Sequence, residues 1–254
     1  MRIIINADDF GYSESVNMAI IEAFNKGYIT NTTVMVNMPG FDQSVALAKE
    51  HGFFDKVGLH LNFFEGQALT EKIKKESLFY RNNEMISYNM LHNSSLIKRF
   101  FLPRHTRVAL YEEAAAQIAK YRQAGFTQFH LDSHGHSHTI FSVFFAILDL
   151  LKENNFRTVR KSLNLFLSRS CMVKAYKFIC NKLIAKHMKT TKYFTSASEF
   201  IKVMQSGFVD DDAVCEIMVH PVFKDGKLVN ARNVDFETLF TYLEENALMS
   251  YLEI

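Results

Sequence analysis

Arg2-Ile3-Ile4-Ile5-Asn6-Ala7-Asp8-Asp9-Phe10-Gly11 stands at the head of the chain, an apolar run that ends in two carboxylates and a glycine. The apolar part, 2–7, is too short for a helix and shows no polar alternation. Such a run predicts a strand buried on both faces, as in a parallel sheet. The period then changes. Ser13 can cap a helix, Glu14 falls in its first turn and Gly27 follows its end. Val16, Ala19, Ile20, Ala23 and Phe24 recur at helical spacing and supply a core stripe. The β-branched segment 32–36 predicts a second strand, stopped by Pro39-Gly40. A helix over 42–50 and a third strand at 57–61 follow.

Strand and helix keep alternating, with further strands expected at 128–132, 157–160, 192–195, 214–219 and 249–252. A helix between them carries Phe141, Phe144, Phe145, Leu148 and Leu151 on one face. About eight strands in this rhythm predict the α/β class and a distorted (β/α) TIM-like barrel. With no internal repeat and no linker, 1–254 reads as a single domain. The stretch 62–107 is too long for a simple loop and predicts an excursion after the third strand, over the active-site face. Its aromatics, Phe63, Phe64, Phe79, Tyr80, Tyr88, Phe100 and Phe101, either stack on a ligand or, for most of them, form the excursion's own small core.

Composition bounds the function classes. With 254 residues, 48% hydrophobic and 22% charged, the chain can bury a large core. The net charge of +2 hides an asymmetry. Segment 154–198 has no Asp or Glu but ten basic residues, leaving 19 basic and 27 acidic residues elsewhere. Such a patch can attract an anionic polymer or a membrane surface, although a solvated helical face balanced by acids elsewhere is the plainer expectation. No nucleic acid is expected as a partner. Three cysteines without a C-x-x-C pair suit a reduced, cytoplasmic protein. The opening run leaves no room for a signal-peptide core, and the most apolar run, 139–151, is too short for membrane insertion. A homodimer is expected only because symmetric dimers are the commonest oligomers.

In parallel α/β folds, ligands bind beyond the carboxyl ends of the strands. Asp8-Asp9 end the first strand, and His60 lies in Gly58-Leu59-His60-Leu61-Asn62 on the third. The fourth strand runs into Asp132-Ser133-His134-Gly135-His136-Ser137-His138, and His220-Pro221 closes the strand at 214–219. Any one of these has an ordinary explanation, a turn carboxylate or a packed histidine. Four at the same end of different strands do not. Adjacent carboxylates point in different directions, so one can bind a metal while the other acts as general base. Imidazole is a common metal ligand. In extended backbone Asp132, His134, His136 and His138 would share one face. His134 is the expected ligand there, with His136 and His138 expected to support the ligands or touch substrate. His220, held extended by Pro221, is placed to protonate a leaving amine. Arg160 is expected to hold a carboxylate or a substrate oxygen.

At these residues the chain resembles the YdjC/ChbG-type carbohydrate (chitooligosaccharide) deacetylases. The resemblance spans nearly the whole chain and rests on Asn6-Ala7-Asp8-Asp9-Phe10-Gly11, Thr32-Thr33 with Asn37, Gly58-Leu59-His60, the run from Asp132 to His138, and Met218-Val219-His220-Pro221. It implies a β/α barrel, a divalent metal ion and hydrolysis of the acetamide on N-acetylglucosamine units of mono- or oligosaccharides. It further implies Asp9, His60 and His134 as metal ligands, Asp8 as base and His220 as acid. Arg160 matches the family's arginine in less distinctive surroundings. The mixed N/O ligand set leans to zinc, with magnesium the alternative. The basic segment and the excursion depart from the family signatures and leave the sugar open. A metal-dependent phosphoesterase and a non-catalytic metal- or sugar-binding protein are the rivals. A glycosidase is disfavoured, because it needs two carboxylates and no histidine cluster.

Overall fold

The computed structural model describes residues 1–81, 84–85, 96–231, 234–244 and 247–254. Its strands are β1 (Arg2–Phe10), β2 (Asn31–Val34), β3 (Val57–Leu61), β4 (Tyr80–Arg81), β5 (Glu84–Met85), β6 (His130–Ser133), β7 (Thr158–Val159), β8 (Tyr193–Ser196), β9 (Val214–Val219), β10 (Pro221–Lys224) and β11 (Lys227–Asn230). The helices are α1 (Glu14–Asn25), α2 (Phe41–Glu50), α3 (Glu71–Lys74), α4 (Leu96–Phe100), α5 (Arg104–Gln123), α6 (Phe141–Glu153), α7 (Cys171–His187), α8 (Ala197–Gln205) and α9 (Phe236–Phe240).

Seven strands form one parallel sheet in the order β7-β6-β3-β2-β1-β9-β8. The sheet curls until its two edges meet. Thr158 bridges Lys189, Val159 N donates to Lys189 O at 2.9 Å, and Asn164 N donates to Phe194 O at 3.0 Å. The seam of the distorted barrel is therefore crossed by irregular chain rather than by a strand ladder. The strand expected at 249–252 does not form. After one bridge between Ile3 and Leu248, the chain turns into a 3-10 helix, Tyr251–Glu253, closed by a Ser250/Glu253 capping box.

The opening apolar run behaves as its composition requires. Ile3, Ile5 and Ala7 enter the main core, while Ile4 faces a second cluster with Met249 and Tyr251. Helix α1 starts where Ser13 Oγ accepts from Val16 N, and Gly27 follows it at φ +70°. Gly11 has a different task. At φ +85° its backbone passes so close that a Cβ would sit 2.9 Å from Met35 O, so the turn that follows the carboxylates tolerates only glycine. Phe63, Phe64 and Phe79 are buried in the barrel's main cluster rather than in a separate core. Phe100 and Phe101 are exposed, and Tyr88 lies outside the described residues. Among the described residues no helix is long and apolar enough to cross a membrane.

One core histidine should make the fold acid-sensitive. His130 is buried, stacks on Tyr251 with ring centroids 3.6 Å apart, and places Nδ1 2.9 Å from Thr158 Oγ1. Burial pushes its pKa down from 6.5 to about 3. The neutral ring's contribution is thus complete above the unfolded value and is lost as pH falls toward the folded one. Urea denaturation at pH 7, 6, 5 and 4 should show stability falling, with His130 supplying up to about 1.4 kcal/mol per pH unit. A His130→Phe variant should flatten that slope by about one proton. An unchanged slope would assign the sensitivity elsewhere.

Candidate active site

The register of β1 against β2 slips between Ala7 and Phe10, so Asp8 and Asp9 together form a bulge. Asp9 takes φ +71°, a left-handed conformation that aspartate tolerates better than most residues. The bulge aims the two carboxylates apart. Asp8 turns into the barrel toward Arg160 and is 2% exposed; Asp9 turns toward His60 and His134 and is less buried.

Asp9 is the hub of the open end. Its Oδ1 lies 2.9 Å from His134 Nδ1 and 3.2 Å from His60 Nε2, and its Oδ2 lies 3.9 Å from His220 Nε2. Ligand atoms of Asp9, His60 and His134 all fall within 4.8 Å of one another, a separation that one divalent ion can span. Each imidazole has its far nitrogen on a second carboxylate. His60 Nδ1 is 2.7 Å from Asp132 Oδ1, and His134 Nε2 is 3.5 Å from Glu65 Oε1. Metal-binding histidines are commonly oriented in this way. Thr33 Oγ1 donates to Asp132 Oδ2 at 3.0 Å and completes the support beneath His60.

The charges are consistent with a cation site. Burial opposes a charge on His60, but Asp132 and Asp9 outweigh it and push the pKa up to about 10. Burial likewise opposes charge on His134, where Asp9 and Glu65 raise the value to about 9. Burial would raise Asp9, yet its two imidazole partners hold it well below the usual carboxylate range. The field that favours protons on these imidazoles would equally favour a metal ion in place of those protons, held by the neutral rings.

Below this layer lies Arg160, fully buried. It donates from Nη1 to Asp8 Oδ2 and from Nη2 to Asp8 Oδ1, both at 2.7 Å. Nη2 also lies 2.7 Å from Asp132 Oδ2, Nε donates to Glu216, and the guanidinium sits 4.7 Å from the Phe194 ring centre. Arg160 therefore holds carboxylates, the first of its two expected roles, and has no surface left for substrate. His138 is buried too, with Nδ1 against Ser133 Oγ and Nε2 2.8 Å from Arg160 O. The shared face expected for Asp132, His134, His136 and His138 is broken, because strand β6 ends at Ser133 and a 3-10 turn follows with φ +59° at Gly135 and +56° at His136. His136 alone of the residues expected to touch substrate keeps part of its surface open, its ring edge toward Phe194.

With that geometry in view, comparison with known proteins is direct. Residues 2–253 match the family model of YdjC-like proteins. The chain belongs to the YdjC-like family. A carbohydrate deacetylase of Clostridium beijerinckii is 30% identical over 91% of this chain and 85% of its own length. That of Brevibacillus brevis is 30% identical over 89% and 83%, and that of Vibrio cholerae 37% identical over 55% and 50%. A solved structure from Enterococcus faecalis, described as a candidate cellobiose-phosphate cleavage protein, superposes with a TM-score of 0.66 at 23% identity, covering 88% of this chain and 82% of its own. That likeness concerns the fold.

Three site residues of this family member escape a motif reading. Asp132 is visible only as part of a histidine-rich run, and its pairing with His60 depends on the β3–β6 register, His60 opposite Asp132. Glu216 leaves a trace as a lone acid inside the apolar strand Val214-Cys215-Glu216-Ile217-Met218-Val219, a pattern that calls for a buried partner. Glu65 leaves none. It reaches His134 because Asn62 Oδ1 accepts from Phe64 N and Glu65 N, while Asn37 and Asn62 side chains donate to Glu65 O.

Proposed function

We propose that this protein is a metal-dependent hydrolase that removes the acetyl group from N-acetylated sugars, N-acetylglucosamine units of short oligosaccharides such as chitooligosaccharides among them. The observation that carries this reading is the convergence of Asp9, His60 and His134 on one point at the carboxyl end of the barrel, in a chain whose curated relatives are named carbohydrate deacetylases. Two imidazoles and one carboxylate, each imidazole backed by a further carboxylate, suit zinc and also admit magnesium. Such an ion would polarise the acetamide and make water a stronger acid.

The remaining steps belong to the chain. Asp8 accepts the proton of the attacking water at Oδ2, which takes one hydrogen bond from Arg160 and keeps a second lone pair. Arg160 and Asn6 fix the orientation of that carboxylate. Water adds to the acetamide carbon and the carbon–nitrogen bond breaks. His220, across Asp9 from the other two histidines, gives the departing sugar amine its proton. Acetate and the free amine leave.

The direct test is acetate release from a panel of N-acetylated mono- and oligosaccharides, before and after chelation and with zinc or magnesium returned. Activity should vanish with the chelator and return with a metal. Phosphate release from phosphoesters without acetate release would transfer the site to phosphoester chemistry. Ligand binding without turnover under any metal would make it a binding protein.

A further inference from the structure

Part of the basic segment faces no acid among the described residues of the folded protein. It lines a cleft of about 870 Å³ between the chain after β7 and helix α7. Lys161, Lys174, Lys177, Lys182 and Lys186 border it, and among the described residues none of these five is in an ion pair. The pairs in this part of the chain use Arg160 with Asp8, Asp132 and Glu216, Arg169 with Glu199 and Lys192 with Asp210 instead. Lys177 is half-buried and finds only the Leu163 carbonyl, at 3.3 Å. Five ammonium groups without ion-pair partners bordering one cavity, two of them (Lys161 and Lys177) partly buried, favour an anion there.

The same walls are apolar between the lysines. Phe166 and Phe178 line the cleft, with Lys174 and Lys182 lying over their rings. On the outer face of α7, Met172 is 84% exposed and Ile179 54%; Phe178, in the cleft wall, is 62% exposed, and Leu167 ahead of the helix 52%. A small hydrophilic anion has no use for this surface, whereas an apolar chain would cover it. The cleft is also a built feature. Asn181 on α7 clamps Ser162 through both backbone groups, at 2.8 and 3.0 Å. Lys161 directly follows Arg160, which holds Asp8, so the cleft wall begins one residue along the chain from the support of the candidate active site.

We propose that this cleft binds the phosphate-and-chain end of an anionic single-chain amphiphile, and that the acetylated sugar reaches the active site joined to such a carrier. The second half rests on the sugar-deacetylase reading above; the first does not. The lysines would meet the phosphate, while Phe166, Phe178 and the outer face of α7 would meet the chain.

Calorimetry on the whole protein tests the binding, with dodecyl phosphate below its micelle concentration as the probe. Inorganic phosphate and dodecyl maltoside should each bind at least about tenfold more weakly. Lys174→Glu with Lys182→Glu, and separately Phe178→Ser, should weaken dodecyl phosphate by a similar factor without changing acetate release from free N-acetylglucosamine oligomers. Equal affinity for either comparator overturns the proposal. So does binding to phosphatidylglycerol vesicles with no binding of the dispersed amphiphile, which would make α7 a membrane-docking face. The carrier is tested with N-acetylglucosamine bearing a dodecyl phosphodiester against its methyl counterpart. A KM lower by about tenfold for the dodecyl compound, lost in the double lysine variant with kcat unchanged, is the expected result. Equal KM values sink the carrier and leave the deacetylase standing. No acetate from either compound, with dodecyl phosphate still bound, sinks the deacetylase and leaves the cleft.

Discussion

An Arg160→Met variant should lose roughly 3–5 kcal/mol of stability, the usual cost of leaving buried charges without their partner. One guanidinium with no exposed surface faces Asp8, Asp132 and Glu216. Even with Arg160 present, burial pushes the Glu216 pKa up to about 7. Without it, the three buried carboxylates keep no ion-pair partner among the described residues except the imidazole of His60, through Asp132. The folded pKa values of Asp132 and Glu216 would then exceed the unfolded ones. The stability loss should therefore be greatest at alkaline pH and shrink as pH falls through those values. Arg160→Lys should not restore the fold, because one ammonium cannot reproduce a planar fork with donors on both edges. Urea denaturation at pH 8 and pH 5 measures both effects. A loss under about 1 kcal/mol at pH 8 would show that the carboxylates relax into water, contrary to this account.

Asp8→Asn should reduce acetate release by at least about 10²-fold, the lower range of general base catalysis. The substitution is close to isosteric and keeps one oxygen for Arg160. Asp8 lies near His60 but is not one of the three proposed ligands, so metal affinity should be nearly unchanged. Asp9→Asn should behave differently, losing metal and activity together, because Asp9 Oδ1 is the atom that both His60 and His134 approach. Calorimetric metal titration beside the acetate assay separates the two patterns. Near-normal turnover by Asp8→Asn would remove Asp8 as the base.

The parts of the fold that were legible in the sequence are those governed by short-range periodicity. The run at 2–7 became the first two-thirds of a buried strand, Ser13 capped α1, and Gly58-Leu59-His60 lay within β3. The segment 249–252 looked equally strand-like but formed a 3-10 turn. After the bridge at Leu248 the only ladder partner was already satisfied, and Ser250 and Glu253 offered a local cap instead. The histidine run failed as a single face for a comparable reason. Gly135 permits a left-handed step, and the chain used it to fold His138 back onto Ser133.

Residue order alone was enough for a parallel α/β barrel with carboxylates and imidazoles gathered at the carboxyl ends of its strands, because strand direction and side-chain alternation follow from neighbours a few positions apart. The assignment of atoms to partners was not contained there. Asp9 meets His134 across 125 positions and Asp8 meets Arg160 across 152; such pairings depend on a bulge, a sheet register and the curl that brings the two sheet edges together. A buried charge must find a counter-charge wherever the fold places one, so Arg160 became the keystone beneath the site only once the barrel had closed over it.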